Sequence, residues 1–188
     1  MHRGMKVGTH WTHIQNYEGR QWCQTCLTTE MMEHILVNCR EGTTAQIWNL
    51  ARETWPHPPP LWPNISIGII LGCGSLSPPN QNGQQGDRCK RTNQRGQTRL
   101  LQILISEAAH LIWVLRCEQV LQQEQQHTRE EVKARWNQAI NTRLSDDKIN
   151  ATRIKRERTF TSLIKNTWGP VLTKLGRPED WLETPEVF

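Results

Sequence analysis

Apolar residues recurring at intervals of three and four fill the second half of this 188-residue chain, a spacing that predicts helices. Leu100 to about Gln125 is apolar nearly all round its middle, as a helix buried on every side must be, and should be the central one. Thr128-Arg-Glu-Glu131 has the form of a capping box. It opens a next helix with the stripe Val132, Trp136, Ala139, Ile140 and Leu144. Ser145-Asp-Asp reads as a helix restart or a turn. Ile149, Ile154, Phe160, Leu163, Ile164 and Trp168 suggest one more helix, which Gly169-Pro170 should stop. Beyond it, Arg177-Pro-Glu-Asp-Trp-Leu is expected to turn and dock Trp181.

The first half has weaker periodicity. Thr44 to Trp55 reads as an amphipathic helix, with Ile47, Trp48, Ala51 and Trp55 on one side. The prolines between Pro56 and Pro63 end it, because they remove backbone donors and favour extended dihedrals; a stiff connector is the commoner outcome of such a run, a docking ligand the rarer. Ile65 to Gly74 is apolar and glycine-punctuated, a short strand or a buried loop. Residues 75–96, rich in Pro, Asn, Gln and Gly, are expected to form a long flexible loop. Residues 1–22 are polar apart from Trp11, Tyr17 and Trp22, an irregular lead-in.

Composition sharpens this picture. Hydrophobic content is low, at 36 %, but nine tryptophans supply large anchors for a core. The stretch from Leu100 to Leu121 carries Gln102, Ser106, Glu107, His110, Arg116 and Glu118, which makes it a buried helix and not a membrane span. His110 is expected to be a satisfied core histidine. Charge is unevenly placed: residues 1–85 balance to zero, whereas residues 86–176 hold seventeen Lys/Arg against nine Asp/Glu. Two basic clusters lie there, Arg88-Cys-Lys90-Arg91-Thr-Asn-Gln-Arg95 and the run from Lys148 to Arg158. Such charge attracts polyphosphate chains without reading their sequence, although charge runs are also ordinary solvated faces.

The most specific chemistry is in Cys23, Cys26, His34 and Cys39, spaced C-x2-C-x7-H-x4-C. Three thiols and one imidazole are a complete tetrahedral set for Zn²⁺, with no position left for water or substrate. Cys23-Gln-Thr-Cys26 is a tight turn that aims two sulfurs at one ion. Thr28 is an N-cap candidate for a helix after it, although the capping box is incomplete. On that helix Ile35 and Leu36 would face a core while His34 turns back to the metal. The bland alternative is buried cysteines plus a helix histidine. Cys73, Cys89 and Cys117 form no second ligand spacing. Met1-His-Arg-Gly-Met-Lys lacks the apolar stretch of a secretory signal, so an intracellular place, nuclear or cytoplasmic, is expected.

The expected fold is therefore mainly α: three to four helices, an N-terminal CCHC zinc-knuckle-like segment and a long flexible loop. Its parts are the lead-in 1–22, the zinc segment and following helix 23–55, the connector and loop 56–96, and the helical domain 97–188.

Gly8-Thr-His-Trp11, Tyr17-Glu18, Cys23-x-x-Cys26, Thr29-Glu-Met-Met-Glu-His-Ile-Leu36 and Cys39 together resemble a known segment. It is the region after the ribonuclease H domain in fungal non-LTR (LINE-like) retrotransposon proteins. The resemblance continues through Ile69 to Gly74, Ile105 to Trp113, Leu115 to Glu118, Arg135-Trp136 and Ala139 to Leu144, and so covers most of the chain. It implies zinc held by Cys23, Cys26, His34 and Cys39. Retroviral-type knuckles have four residues between the second Cys and the His, where this chain has seven, so their base-stacking rules do not transfer. The family's reverse transcriptase needs paired aspartates of the Tyr-x-Asp-Asp kind, and its ribonuclease H needs acids around a sheet; neither pattern occurs here. Asp146-Asp147 reads as a cap.

The expectation is a non-catalytic remnant of such an element that contacts RNA or DNA. Arg88, Lys90, Arg91 and Arg95 would meet phosphates, and Trp22 or Trp11 would stack on an unpaired base. The competing expectation is a structural domain that packs on polymerase or ribonuclease H domains of the parent element. Neither involves a membrane or a small-molecule substrate.

Overall fold

A computed structural model describes residues 6–39, 42–76, 88–122, 127–153, 158–176 and 181–182. Everything in it is arranged round one helix, α3, Arg88–Gln122, whose 35 residues span about 52 Å. Leu100, Leu101, Ile103, Leu104, Ile105, Ala108, Leu111, Ile112 and Leu115 are buried along its middle, on a broad face that leaves Ser106 and His110 exposed on the other side. By length and hydropathy Thr92–Val120 is also long and apolar enough to cross a membrane; half of its most apolar window is buried inside the protein. His110 is exposed, contrary to the expectation of a core histidine.

Four helices pack round it. α1, Thr43–Thr54, turns Ile47 and Ala51 inward, with Trp55 just past its end. α2, Ile67–Leu71, is a single short turn capped by Ser66, whose Oγ accepts from the Ile69 amide at 3.3 Å. It falls where a strand or a buried loop was expected. α4, Arg129–Arg153, buries Val132, Trp136, Ile140, Leu144, Asp147 and Ala151, a stripe with helical spacing. α5, Arg158–Lys174, buries Ile164, Thr167, Trp168, Val171 and Leu172. Among the described residues there is no strand, only an isolated antiparallel bridge between Trp22 and Thr29. The mainly helical fold is the one the periodicity calls for.

Three boundaries and one residue's role differ from the sequence expectation. α3 begins at Arg88, so residues 88–96 belong to a helix and not to the long loop; residues 77–87 of that expected loop lie outside the described residues. α4 runs unbroken through Ser145-Asp-Asp. Asp147 is no cap: it is buried in mid-helix and accepts from Arg99 Nη1 at 2.7 Å, Arg99 Nη2 at 2.6 Å and Trp168 Nε1 at 2.7 Å. Finally, α5 does not stop at Gly169-Pro170 but continues to Lys174, with Pro170 inside it. Burial of Val171 and Leu172 holds that last turn in place although Pro170 can donate no amide.

Polar ties fix how the helices meet. Trp136 Nε1 donates to Thr54 Oγ1 at 3.1 Å, joining α4 to the end of α1. Lys174 Nζ, from the end of α5, donates to the carbonyls of Glu53 and Trp55 at 2.6 and 3.3 Å. A cation there satisfies two acceptors left over at a helix C-terminus. The Thr128 cap forms as expected, its Oγ1 accepting from the Glu131 amide at 3.1 Å. The proline-rich segment after α1 returns Trp62 to the core, its ring centroid 5.9 Å from that of Trp55, while Pro58, Pro59 and Pro60 are exposed; Trp181 is buried as a docking residue should be.

Candidate metal centre

The Cys-x-x-Cys turn is clamped by its own backbone. Cys23 N donates to Thr28 O and Leu27 N to Cys23 O, each at 2.9 Å, while Glu30 N donates to Gln21 O at 2.7 Å. The Trp22–Thr29 bridge closes the loop at its neck. Leu27 is left with φ 54°, in the left-handed region that a Leu seldom adopts. Gly8 packs so tightly behind Met31 that a Cβ there would lie 2.8 Å from the Met31 sulfur. The lead-in is thereby fastened to the segment that carries the ligands.

The second pair of ligands depends on an unusual helical turn. Met32 opens a helical run, and His34–Asn38 is π-helical, with Cys39 N donating to His34 O at 2.9 Å. In an α-helix, residues five apart sit about 140° apart round the axis, on opposite faces. The wider π turn nearly closes that gap, so His34 and Cys39 reach the same side. Ile35 and Leu36 meanwhile point into the core, as expected. α1 stabilises the turn: Thr44 Oγ1 donates to Ile35 O at 3.0 Å and Trp48 Nε1 to Leu36 O at 2.8 Å.

The result is one compact cluster. One ligand atom from each of Cys23, Cys26, His34 and Cys39 lies within 4.8 Å of all the others. Cys39 Sγ is 3.9 Å from Cys23 Sγ and 3.7 Å from Cys26 Sγ. Those separations are too long for disulfides. They are close to the roughly 3.8 Å edge of a tetrahedron with Zn–S bonds of about 2.3 Å. His34 Nδ1 is 3.4 Å from Thr28 Oγ1, and its Nε2 is buried with no protein partner. Thr28 is therefore not a helix cap; it stands where a metal-bound imidazole needs a partner for its other nitrogen. Burial, the hydrogen bond to Cys26 and the nearby Cys23 charge push the Cys39 thiol up to about 12. Three sulfurs this close ionise together only round a cation, and the donor set fits a soft, tetrahedral ion. Among the described residues no other group of His, Cys, Asp and Glu comes together in this way.

The cluster is tied to the helical core through Glu30, whose carboxylate pairs with Arg116 of α3, Nε donating at 3.0 Å and Nη2 making a second bond. Both side chains are largely buried. Sequence reading missed this pair because its members are 86 positions apart.

The residues expected to meet nucleic acid are not gathered in one place. Trp22 adjoins Cys23 and is 46 % exposed. Arg95 is exposed on the N-terminal part of α3, about 31 Å along the helix from Arg116. The side chains of Arg88, Lys90 and Arg91 lie outside the described residues, as does most of the second basic run, 153–158. Trp11 is partly covered, with Nε1 donating to Lys6 O at 3.0 Å and the Arg20 guanidinium 5.3 Å from its ring centre.

No family model, curated protein or solved structure matches the chain.

Proposed function

We propose that this chain is a zinc-binding, non-catalytic accessory domain that contacts RNA or DNA, a remnant of the C-terminal region of a retrotransposon reverse transcriptase. The observation that carries the reading is the closed cluster of Cys23, Cys26, His34 and Cys39, with the bare His34 Nε2 turned to no protein group. Zinc is the ion whose bond lengths and preference for thiolate and imidazole suit it. Four protein ligands leave zinc no open position, which favours a structural site over a hydrolytic one. The ordered matches to the retrotransposon segment, and the excess of Lys and Arg in residues 86–176, support the nucleic-acid role.

The test is the metal content of the purified chain, with anisotropy titrations against single-stranded RNA at two salt concentrations. One zinc per chain and binding that weakens with salt are expected; a metal-free folded chain would refute the reading at its base. A second reading is a domain that packs on polymerase or ribonuclease H domains without touching nucleic acid. It is favoured by the exposed apolar residues round the zinc turn, Leu27 at 76 % and Met31 at 49 %. One zinc per chain with no binding at either salt concentration would select it.

A further inference from the structure

We infer that the groove beside the metal cluster takes a short run of unpaired bases from a single-stranded nucleic acid. This rests on the reading of the chain as a nucleic-acid-binding zinc domain, and it gives the strand's place and the chemistry that holds it.

The groove measures about 1250 Å³ and lies between the zinc segment, α1, the far end of α3 and the start of α4. Small-molecule pockets are typically about 300–1,000 Å³, so the space suits an extended chain. On the zinc-segment wall stand Trp22 and Tyr17, 46 % and 42 % exposed. Large aromatics left in water on a groove wall are what stacked bases cover in single-strand binding proteins. The Arg20 guanidinium sits 4.3 Å from the Tyr17 ring centre, extending that ring as a platform with a cation on it. Side-chain amides Gln24, Asn49 and Gln119 line the same space. Each offers donors and an acceptor of the kind that reads a base edge.

Charge decides against a purely phosphate-held complex. Arg116 in the groove is already paired with Glu30. Arg20 and Arg129 remain, opposed by Glu53. Two cations give a single-strand salt slope of about −1.4, against about −2.8 for the four of the Arg88–Arg95 cluster. The groove thus holds bases more than backbone. A protein partner would seek a charge-poor apolar centre, whereas this groove has an ion pair and amides. A duplex keeps its base faces hidden from stacking side chains.

The test uses the full-length, zinc-loaded chain and fluorescein-labelled ten-nucleotide oligouridine, oligothymidine, an abasic ten-residue strand and a duplex. Both base-bearing single strands should bind, and their ratio shows whether the ribose hydroxyl matters. The abasic strand and the duplex should bind markedly more weakly. Trp22→Ala should raise Kd about five- to a hundredfold, with zinc content checked to separate lost stacking from lost metal. Gln119→Ala, on α3 and away from the ligands, should raise Kd without touching zinc. Arg129→Ala should flatten the salt slope by about 0.7. If these variants bind as the parent does while replacing Arg88, Lys90, Arg91 and Arg95 with Ala abolishes binding, the groove proposal is wrong and the nucleic-acid reading survives. If no strand binds the parent chain, both fall.

Discussion

Gly96 and Pro170 show how much one residue decides here. Pro170 has no amide to give the Asn166 carbonyl one turn back, and that carbonyl faces α3. Gly96 is buried against it; a Cβ on Gly96 would lie 2.5–2.6 Å from the carbon, Cβ and oxygen of Asn166. Neither backbone can yield without the helices separating. Gly96→Ala gains about 1 kcal/mol of helix propensity, but the forced separation costs more. A net loss of about 1–3 kcal/mol is expected, read as a lower urea midpoint at unchanged m-value. A variant as stable as the parent would mean that α3 and α5 do not need this contact. Asp147 is the polar counterpart. Asp147→Ala strands Arg99 and the Trp168 indole N–H, and should cost about 3–5 kcal/mol by the same measurement. A paired replacement, Arg99→Met with Asp147→Leu, should cost much less, because no buried charge is left alone. Neither residue advertises its role in the sequence. An acid beside another acid looks like a polar junction, and its partner Arg99 lies 48 positions away.

At the scale of elements, periodicity reveals what burial enforces and little else. The stripes of α1, α4 and α5 and the broad apolar face of α3 are plain because each apolar side chain meets the same core. The first turns of α3, from Arg88 to Gly96, carry no aliphatic stripe and so read as loop; they are held by Gly96 and Arg99 instead. The ligand set was legible because cysteine and histidine chemistry is specific, whereas the π turn was not. Nothing in H-x4-C says that the helix widens there, and an ordinary α-helix would turn Cys39 away from the metal. Hydrogen bonds from Thr44 and Trp48 mark what holds the turn. Trp48→Phe keeps the ring packing and removes the donor to Leu36 O. Zinc affinity, measured by competition with a chromogenic chelator, should fall about 10- to 100-fold, the range found for outer-shell partners. An unchanged affinity would show that the turn persists without α1.

For the molecule as a whole, the division of labour between metal and hydrophobic core sets what zinc removal does. One continuous apolar cluster joins Ile35 and Leu36 to α1, α3, α4 and α5, so α1 is part of the helical body and not of the zinc segment. Residues 6–33 add no buried aliphatic side chain to it. They are held by short 3₁₀ turns, the loop bonds round Cys23, the Glu30–Arg116 pair, the partly buried Val7 and Met32 against the core, and the cluster itself. Chelation, or Cys26→Ser, withdraws the cluster. The expected outcome is local: residues 6–33 open while Ile35, Leu36, α1, α3, α4 and α5 stay packed, because their burial does not pass through the metal. Far-UV circular dichroism should barely change, whereas limited proteolysis should cut first between Tyr17 and Met32. Hydrogen exchange should rise in the same stretch and stay slow from Leu100 to Leu115. Collapse of the whole helical signal on chelation would refute this division and make the metal a requirement of the entire fold.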